Sequence, residues 1–286
     1  MSLPPLDIPA LLHRYKLRPD KKLGQNFLAD ANGLQKVVDT AELRPGDSVL
    51  EVGPGLGNLT RLLAMQVSRV LAVELDGRLI PALEDILSPF QNIELIHGDI
   101  LALDPVKLVQ GWDANSDYVV VANIPYYITS ALIRHLLEAP VRPSRMVLTV
   151  QKEVAERIVA VPNDMNLLAL SVQVYGHPYI AAILPACAFI PSPQVDSAIV
   201  RIDIDPKLRF PPVILERFFR LAKAGFSQKR KTLRNSLSGG LGCSTAQAAD
   251  LLSGAGIDPN RRAETLNLEE WVSLVIQAEM PDPKDP

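Results

Sequence analysis

Two stretches of the chain carry residue types that can do chemistry together. Residues 49–57 read VLEVGPGLG, and residues 123–126 read Asn-Ile-Pro-Tyr. In the first, Gly53, Gly55 and Gly57 follow an apolar run directly. Glycines there let the backbone approach a ligand closely, and the N-terminus of a following helix favours a negative group. The spacing is GxGxG, not the GxGxxG of dinucleotide sites, so a structural turn and a NAD site stay open as readings. Two acids sharpen the picture. Glu74, followed by Leu75, closes a second apolar run, where a carboxylate can accept both hydroxyls of a ribose. Asp99, followed by Ile100, closes a third, where it can accept an adenine amino group. Each acid alone reads equally well as a solvated strand end. Together with the glycines they describe one crevice for an adenosine with a charged tail.

Asn123-Ile124-Pro125-Tyr126 is the more specific signal. An exocyclic amine on an aromatic ring is a poor nucleophile because its lone pair is delocalised. Acceptors for its N–H groups turn that lone pair out of the ring plane. The Asn123 side-chain oxygen and the Ile124 carbonyl suit this role, and Pro125 stiffens the turn and removes a competing donor. Tyr126 offers a flat face to an unpaired or flipped-out base. The plain alternative is a strand-to-helix turn with an incidental tyrosine. Orientation would do most of the work, so no shifted general base is needed.

The elements that must position these residues follow a β/α rhythm from Ser48. SVLEVG, RVLAVEL, NIELIHGD, SDYVVVANIPY and RMVLTV read as parallel strands, buried on both faces. Helical patterns at Leu59–Met65, Gly77–Leu87, Thr129–Leu137 and 152–160 lie between or after them, with Asn58 and Asp76 as expected caps. Asp7 caps an expected helix at Ile8–Tyr15. Residues 166–175, NLLALSVQVY, fit both periods. Tyr179–Leu184 and Asp196–Ile204 read as two strands joined by a proline-rich loop, closing the sheet with an antiparallel edge. After Pro206 only helical patterns remain, at Val213–Leu237, Thr245–Ala255 and 268–279, with a linker at 208–212 and a frayed tail, PDPKDP. The expected domains are therefore 1–205 and 206–286.

The composition sets limits. Of 286 residues, 48% are hydrophobic and 21% charged, with a formal net charge of −3. Bulk charge does not announce a nucleic-acid binder, but its distribution does. Between Arg217 and Ala249 stand Arg217, Arg220, Lys223, Lys229, Arg230, Lys231 and Arg234, with no acid among them. Solvated helices usually mix signs, so this stretch is expected to bind phosphates. A second basic segment, Arg14, Lys16, Arg18, Lys21 and Lys22, reads either as a solvated surface or as a phosphate-contacting arm. No apolar run reaches a membrane span and no secretory signal is evident, so no membrane role is expected. Cys187 and Cys243 form no CxxC, and the four histidines share no ligand spacing. No metal, a reducing cytoplasm and a monomer are the expectations.

LGQNFL, LEVGPGLGNLT, AVELD, GDIL, NIPYYIT, QKEVAERI, FIPSPQVDSAIVRI and FSQKRKTLRNSL, in this order, resemble the KsgA-type small-subunit ribosomal RNA adenine dimethyltransferases. The resemblance runs from about residue 14 to the C-terminal region. It implies an α/β, class I S-adenosylmethionine-dependent methyltransferase fold: a Rossmann-like, mostly parallel seven-stranded sheet with a small all-helical C-terminal domain. It implies S-adenosylmethionine as methyl donor, and N6 of two adjacent adenines near the 3′ end of 16S rRNA, in RNA or a pre-30S particle, as target. Cofactor contacts are implied at Asn26, Leu28, Gly53, Glu74, Asp99 and Asn123, with Gly55, Leu75 and Ile100 beside them. Base stacking is implied at Tyr126 and at Phe189, although Phe189 reads equally well as core. Tyr127 stands where many members carry Asn. MNLLALS at 165–171 replaces the usual YGxLS, and by resemblance residues 166–175 are helix. A large-subunit methyltransferase of the macrolide-resistance type and a non-catalytic ribosome-assembly or transcription factor on the same fold are the alternatives, with an NAD oxidoreductase as the alternative at the level of the fold.

Overall fold

The computed structural model describes residues 3–112, 118–207 and 210–278. In chain order the elements are α1 (Ile8–Arg14), β1 (Phe27–Leu28), α2 (Ala31–Ala41), β2 (Ser48–Val52), α3 (Asn58–Ala64), β3 (Arg69–Glu74), α4 (Ile80–Leu87), β4 (Ile93–His97), α5 (Pro105–Leu108), β5 (Tyr118–Asn123), α6 (Thr129–Leu137), β6 (Arg145–Gln151), α7 (Lys152–Ile158), α8 (Leu167–Gln173), β7 (Gly176–Leu184), β8 (Phe189–Ile190), β9 (Ser197–Ile204), α9 (Pro212–Phe226), α10 (Leu233–Leu241), α11 (Thr245–Gly254) and α12 (Leu268–Gln277). The tail PDPKDP and residues 208 and 209 of the expected linker lie outside the described residues.

Seven strands form one sheet in the order β4-β3-β2-β5-β6-β9-β7. β2 pairs in parallel with both β3 and β5, and β9 runs antiparallel to β6. The order follows from burial. β2, β5 and β6 are Val- and Leu-rich and are covered on both faces, which requires helical crossovers on each side. The chain winds outward from β2 through β3 to β4, then returns to place β5 on the other side of β2. The carboxyl ends of β2 and β5 therefore flank the topological switch point, where open α/β sheets leave a crevice. Gly53 follows the first of these ends and Asn123 is the last residue of the second.

On one face α2 and α3 pack Leu34, Val37, Val38, Leu59 and Leu63 against Val49, Val119, Val121 and Val147. A second cluster joins Ile8 of α1 and Phe27 of β1 to Leu79, Ala82, Leu83 and Leu87. These contacts anchor the lead-in residues beside the carboxyl ends of the strands.

The chain divides into two compact units: residues 1–156 with 177–204, and residues 157–176 with 205–286. The expected boundary near 205 is thus crossed by one segment: residues 157–176 belong with the C-terminal helices. Main-chain bonds explain this. Asn163 and Met165 N–H donate to the Glu264 carbonyl at 2.8 and 3.2 Å, and Asp205 N–H donates to the Tyr175 carbonyl at 2.9 Å. The Tyr175 ring stacks on Phe219. The stretch with two possible periods is the helix α8, capped by the Asn166 side chain. Trp271, fully buried and stacked on Phe226, centres the second unit.

Three expected elements differ. The single helix over 213–237 is two helices, α9 and α10, and Lys229, Arg230 and Lys231 lie on the turn between them. The first N–H groups of α10 are taken by outside carbonyls: Leu233 donates to Arg261 at 2.7 Å and Arg234 to Pro259 at 3.2 Å. The first N–H groups of a helix have no partner inside it, and these two carbonyls satisfy them where α10 begins. Asn58 is no cap, because α3 starts at Asn58 after a left-handed Gly57. Its buried side chain accepts from Leu6 N–H and donates to the Leu28 carbonyl, both at 2.9 Å, pinning the lead-in to the sheet. Nor does Asp76 cap α4, which begins at Ile80; its carboxylate serves Arg78 and Gln25. Among the described residues no helix is long and apolar enough to cross a membrane, and no cluster of His, Cys, Asp or Glu could hold a metal.

Candidate active site

A cavity of about 180 Å³ opens at the carboxyl ends of β2, β3, β4 and β5. It is lined by Gly53, Gly55, Glu74, Leu75, Asp99, Ile100, Asn123, Ile124, Pro125 and Tyr126, all expected from the sequence, and by Asn26. Val52, Val73, Leu79 and Leu101 give it an apolar floor. The glycine turn has left-handed backbone at Gly53 and Gly55, with φ of 70° and 62°. At Gly55 a Cβ would also stand 2.8 Å from the Phe27 ring, so both conformation and space demand glycine.

Glu74 is 6% exposed, with its carboxylate turned into the turn. It accepts the Gly55 N–H at 3.1 Å and the Asp76 N–H at 2.8 Å. Burial pushes its pKa up, and these N–H bonds pull the other way. Asp99 is exposed at the end of β4 and accepts the Leu101 N–H at 2.9 Å.

At the end of β5, the Asn123 amide nitrogen donates to the Asn26 carbonyl at 2.9 Å. An amide has one oxygen and one NH2. Fixing the nitrogen on the lead-in therefore leaves the Asn123 oxygen as the end available to a donor. Tyr126 is half-buried, and its hydroxyl meets the Ser197 Oγ on β9 at 2.7 Å, which fixes the ring in place. Burial raises its pKa, opposed by the Ser197 bond, so it is a neutral phenol and not a base. Tyr127, beside it, is 57% exposed at the mouth.

A family model described as ribosomal RNA adenine dimethylase matches residues 17–279. The chain belongs to the ribosomal RNA adenine dimethylase family. It is 49% identical over 267 residues to a ribosomal RNA small subunit methyltransferase A of Dehalococcoides mccartyi (strain CBDB1), covering 93% of this chain and 91% of the relative. A protein of the same name from Geobacillus kaustophilus is 42% identical, covering 92% of each. The crystal structure of the 23S rRNA methyltransferase ErmE superposes with a TM-score of 0.71 at 29% identity, over 89% of this chain and 100% of that one. A dimethyladenosine transferase from Plasmodium falciparum gives 0.74 at 24% identity, over 88% and 96%, and speaks to the fold alone. The fold is that of class I methyltransferases.

Two expected site residues of this adenine dimethylase are absent from the wall of that cavity, although Leu28 lines a smaller one together with Gly53, Gly55 and Asn123. Leu28 and Phe189 pair with each other across β1 and β8, and both side chains enter the core cluster under α2; Phe189 is 2% exposed. Neither lines the larger cavity. The cause is strand alternation: successive residues point to opposite sides, so in the two-residue β1 it is Phe27 that reaches the cavity and Leu28 that turns away. Leu23, Gly24, Gln25 and Phe27 of the lead-in are wall residues missed from the sequence, as are Tyr127 and Ile128. The LGQNFL motif was the available signal, since a segment running past a strand-end crevice can present any of its side chains.

The basic residues divide by position. Arg217, Arg220 and Lys223 lie on α9, Lys229, Arg230 and Lys231 on the turn, and Arg234 in the first turn of α10. Arg220, Lys223 and the three turn residues are exposed, whereas Arg217 and Arg234 are half-buried. Among the described residues none of the seven is in an ion pair. In the lead-in, Arg14 is spent on Asp85, while Lys21 and Lys22 are exposed just before Leu23 and Gly24 of the cavity wall.

One buried group lies beneath the glycine turn. Glu51 is 1% exposed, and its Oε2 has no hydrogen-bond partner. Burial, reinforced by Glu74 and opposed by Thr60, raises its pKa from 4.5 to about 8. The folded protein thus holds a proton that the unfolded chain has already lost. The associated stability is full at low pH and is lost as pH rises from 4.5 to about 8. Glu51→Gln, uncharged throughout, is expected to match the wild type near pH 5 and exceed it near pH 8.5, by on the order of 4 kcal/mol. Denaturant melts at the two pH values check this. A pH-independent difference would contradict it.

Proposed function

We propose that this chain methylates adenine N6 in small-subunit ribosomal RNA, twice on each target base, with S-adenosylmethionine as methyl donor. When bound, S-adenosylmethionine supplies an electrophilic methyl on sulfur. The cavity suits it: two acids stand at neighbouring strand ends, with an apolar floor between them and a glycine turn admitting close backbone approach. On this reading Glu74 accepts the ribose hydroxyls and Asp99 the adenine amino group, with Leu75 and Ile100 flanking the adenine. Gly53 and Gly55 make room for the tail.

The observation that carries the target assignment is the bond from the Asn123 amide to the Asn26 carbonyl. It leaves the Asn123 oxygen to accept an N–H of the target amine, with the Ile124 carbonyl as second acceptor. In the first transfer two such bonds favour a pyramidal nitrogen whose lone pair faces the methyl group, as the transition state requires; the monomethylated amine has one N–H left and makes one of these bonds in the second. Tyr126, fixed through Ser197, stacks on the base. The nitrogen loses its proton to water after transfer.

The small-subunit target is favoured over the large-subunit one by relatives at 41–49% identity that are named for the small subunit, against 29% for ErmE. An intact cavity argues against a factor acting by binding alone. The test is mass spectrometry of small-subunit rRNA from cells lacking and then regaining this gene. Dimethyladenosine that disappears and returns supports the proposal; unchanged adenine methylation overturns it.

The seven cations of the second unit are proposed to hold RNA phosphates. The Lys229/Arg230/Lys231 triple alanine is expected to bind RNA more weakly and to flatten the salt dependence, log Kd against log salt, by about 2. Its S-adenosylmethionine affinity should be unaffected. An unchanged salt slope would remove this turn from the interface.

A further inference from the structure

The residues just before the cavity's Asn26 form a clasp. Asp20 N–H donates to Gln25 Oε1 at 2.7 Å, and Gln25 Nε2 donates to Asp76 Oδ2 at 2.7 Å. Both ends of one side-chain amide are therefore used. Arg78 closes the ring, with Nη2 2.6 Å from Asp76 and 3.4 Å from Asp20. Asp76 is itself buried and tied by its N–H to Glu74. On the other side of Gln25, the Asn26 side chain donates to the Gly24 carbonyl at 3.1 Å, and the Asn26 carbonyl takes the Asn123 amide. Gly24, with φ of 62°, makes the bend between them.

We propose that Gln25 is a positioning residue: anchored on Asp76, it holds the Asn26 carbonyl where that carbonyl fixes which way the Asn123 amide faces. The link runs from the end of β3 to the end of β5 without passing through the sheet. An amide has nearly the same shape with its oxygen and nitrogen exchanged, so packing alone does not choose between the two orientations. Only a fixed acceptor on one side does. The clasp supplies that acceptor, and the reactive end of Asn123 follows from it. This rests on the role given to Asn123 above, but the geometry is testable without turnover.

The variant is Gln25→Met, of similar length and without hydrogen-bonding groups. The first readout is the Asn123 side-chain NH2 in a 15N–1H spectrum of the full chain, assigned by its loss in Asn123→Ala. Its hydrogen exchange is expected to quicken by roughly tenfold or more in Gln25→Met, because its acceptor is no longer held. The second readout is a double-mutant cycle on the single-turnover rate with small-subunit particles. Gln25→Met should lower the rate about tenfold in the wild-type background and have little effect once Asn123 is alanine. A thermal melt followed by circular dichroism shows that the variant is folded; if Gln25→Met does not fold, Gln25→Glu, which keeps the Asp20 bond and faces Asp76 with a like charge, takes its place. Unchanged NH2 exchange overturns the proposal. So does an equal loss of rate in both backgrounds, or a loss confined to cofactor affinity. If the wild type itself fails to methylate small-subunit RNA, the function proposed above falls, while the exchange measurement still judges the clasp.

Discussion

Asn123→Ala is expected to lower the single-turnover rate of methyl transfer to small-subunit particles by about 10²–10³-fold, with a much smaller change in affinity for S-adenosylmethionine. The size follows from where the side chain acts. An acceptor that bonds the amine in both the ground state and the transition state would change binding alone; one that rewards the pyramidal nitrogen changes the rate. Asn123 ends β5, where it pairs with Thr149 of β6, and its amide nitrogen is already spent on the Asn26 carbonyl. Asn123→Asp separates the two halves of the argument. It keeps an acceptor but sets a carboxylate against the Asn26 carbonyl, so it should also fail. Wild-type turnover in the alanine variant would remove Asn123 from the reaction.

The residues of this cavity were readable because each sits at a strand end. Buried parallel strands are written as short apolar runs, and the polar residue that breaks the run marks the carboxyl edge of the sheet. Gly53, Glu74, Asp99 and Asn123 all follow that rule, so their meeting could be inferred before the sheet order was known. Leu28 and Phe189 broke the inference because β1 and β8 are two residues long, too short for alternation to leave a pattern. The helix break at 227–232 was invisible for another reason. Its residues include no proline or glycine, and the carbonyls that start α10 come from Arg261 and Pro259, some 25 residues further on. The clasp joining Asp20, Gln25, Asp76 and Arg78 is likewise a long-range product of the fold. Charge and spacing reveal such a set only after the lead-in has been placed beside β3.

Glu74→Ala is expected to raise the dissociation constant for S-adenosylmethionine by about 10²-fold or more, roughly 3 kcal/mol, and to leave RNA affinity unchanged. More than a ribose contact is lost. The buried carboxylate also accepts the N–H groups of Gly55 and Asp76, so alanine leaves both without an acceptor, one of them in the glycine turn itself. Glu74→Gln keeps the shape and one acceptor oxygen but turns an NH2 toward an N–H, and should fall between alanine and the wild type. The pH dependence gives an independent check. Burial raises the Glu74 pKa above its usual 4.5. The form that accepts two hydroxyls is the carboxylate, so affinity should fall as pH is lowered through that raised value, higher than an exposed glutamate would require. In Glu74→Gln this limb of the profile should be missing. Calorimetric titration across the acid range measures both effects. Wild-type affinity in the alanine variant, or an acid limb that survives in Glu74→Gln, would move the ribose away from β3.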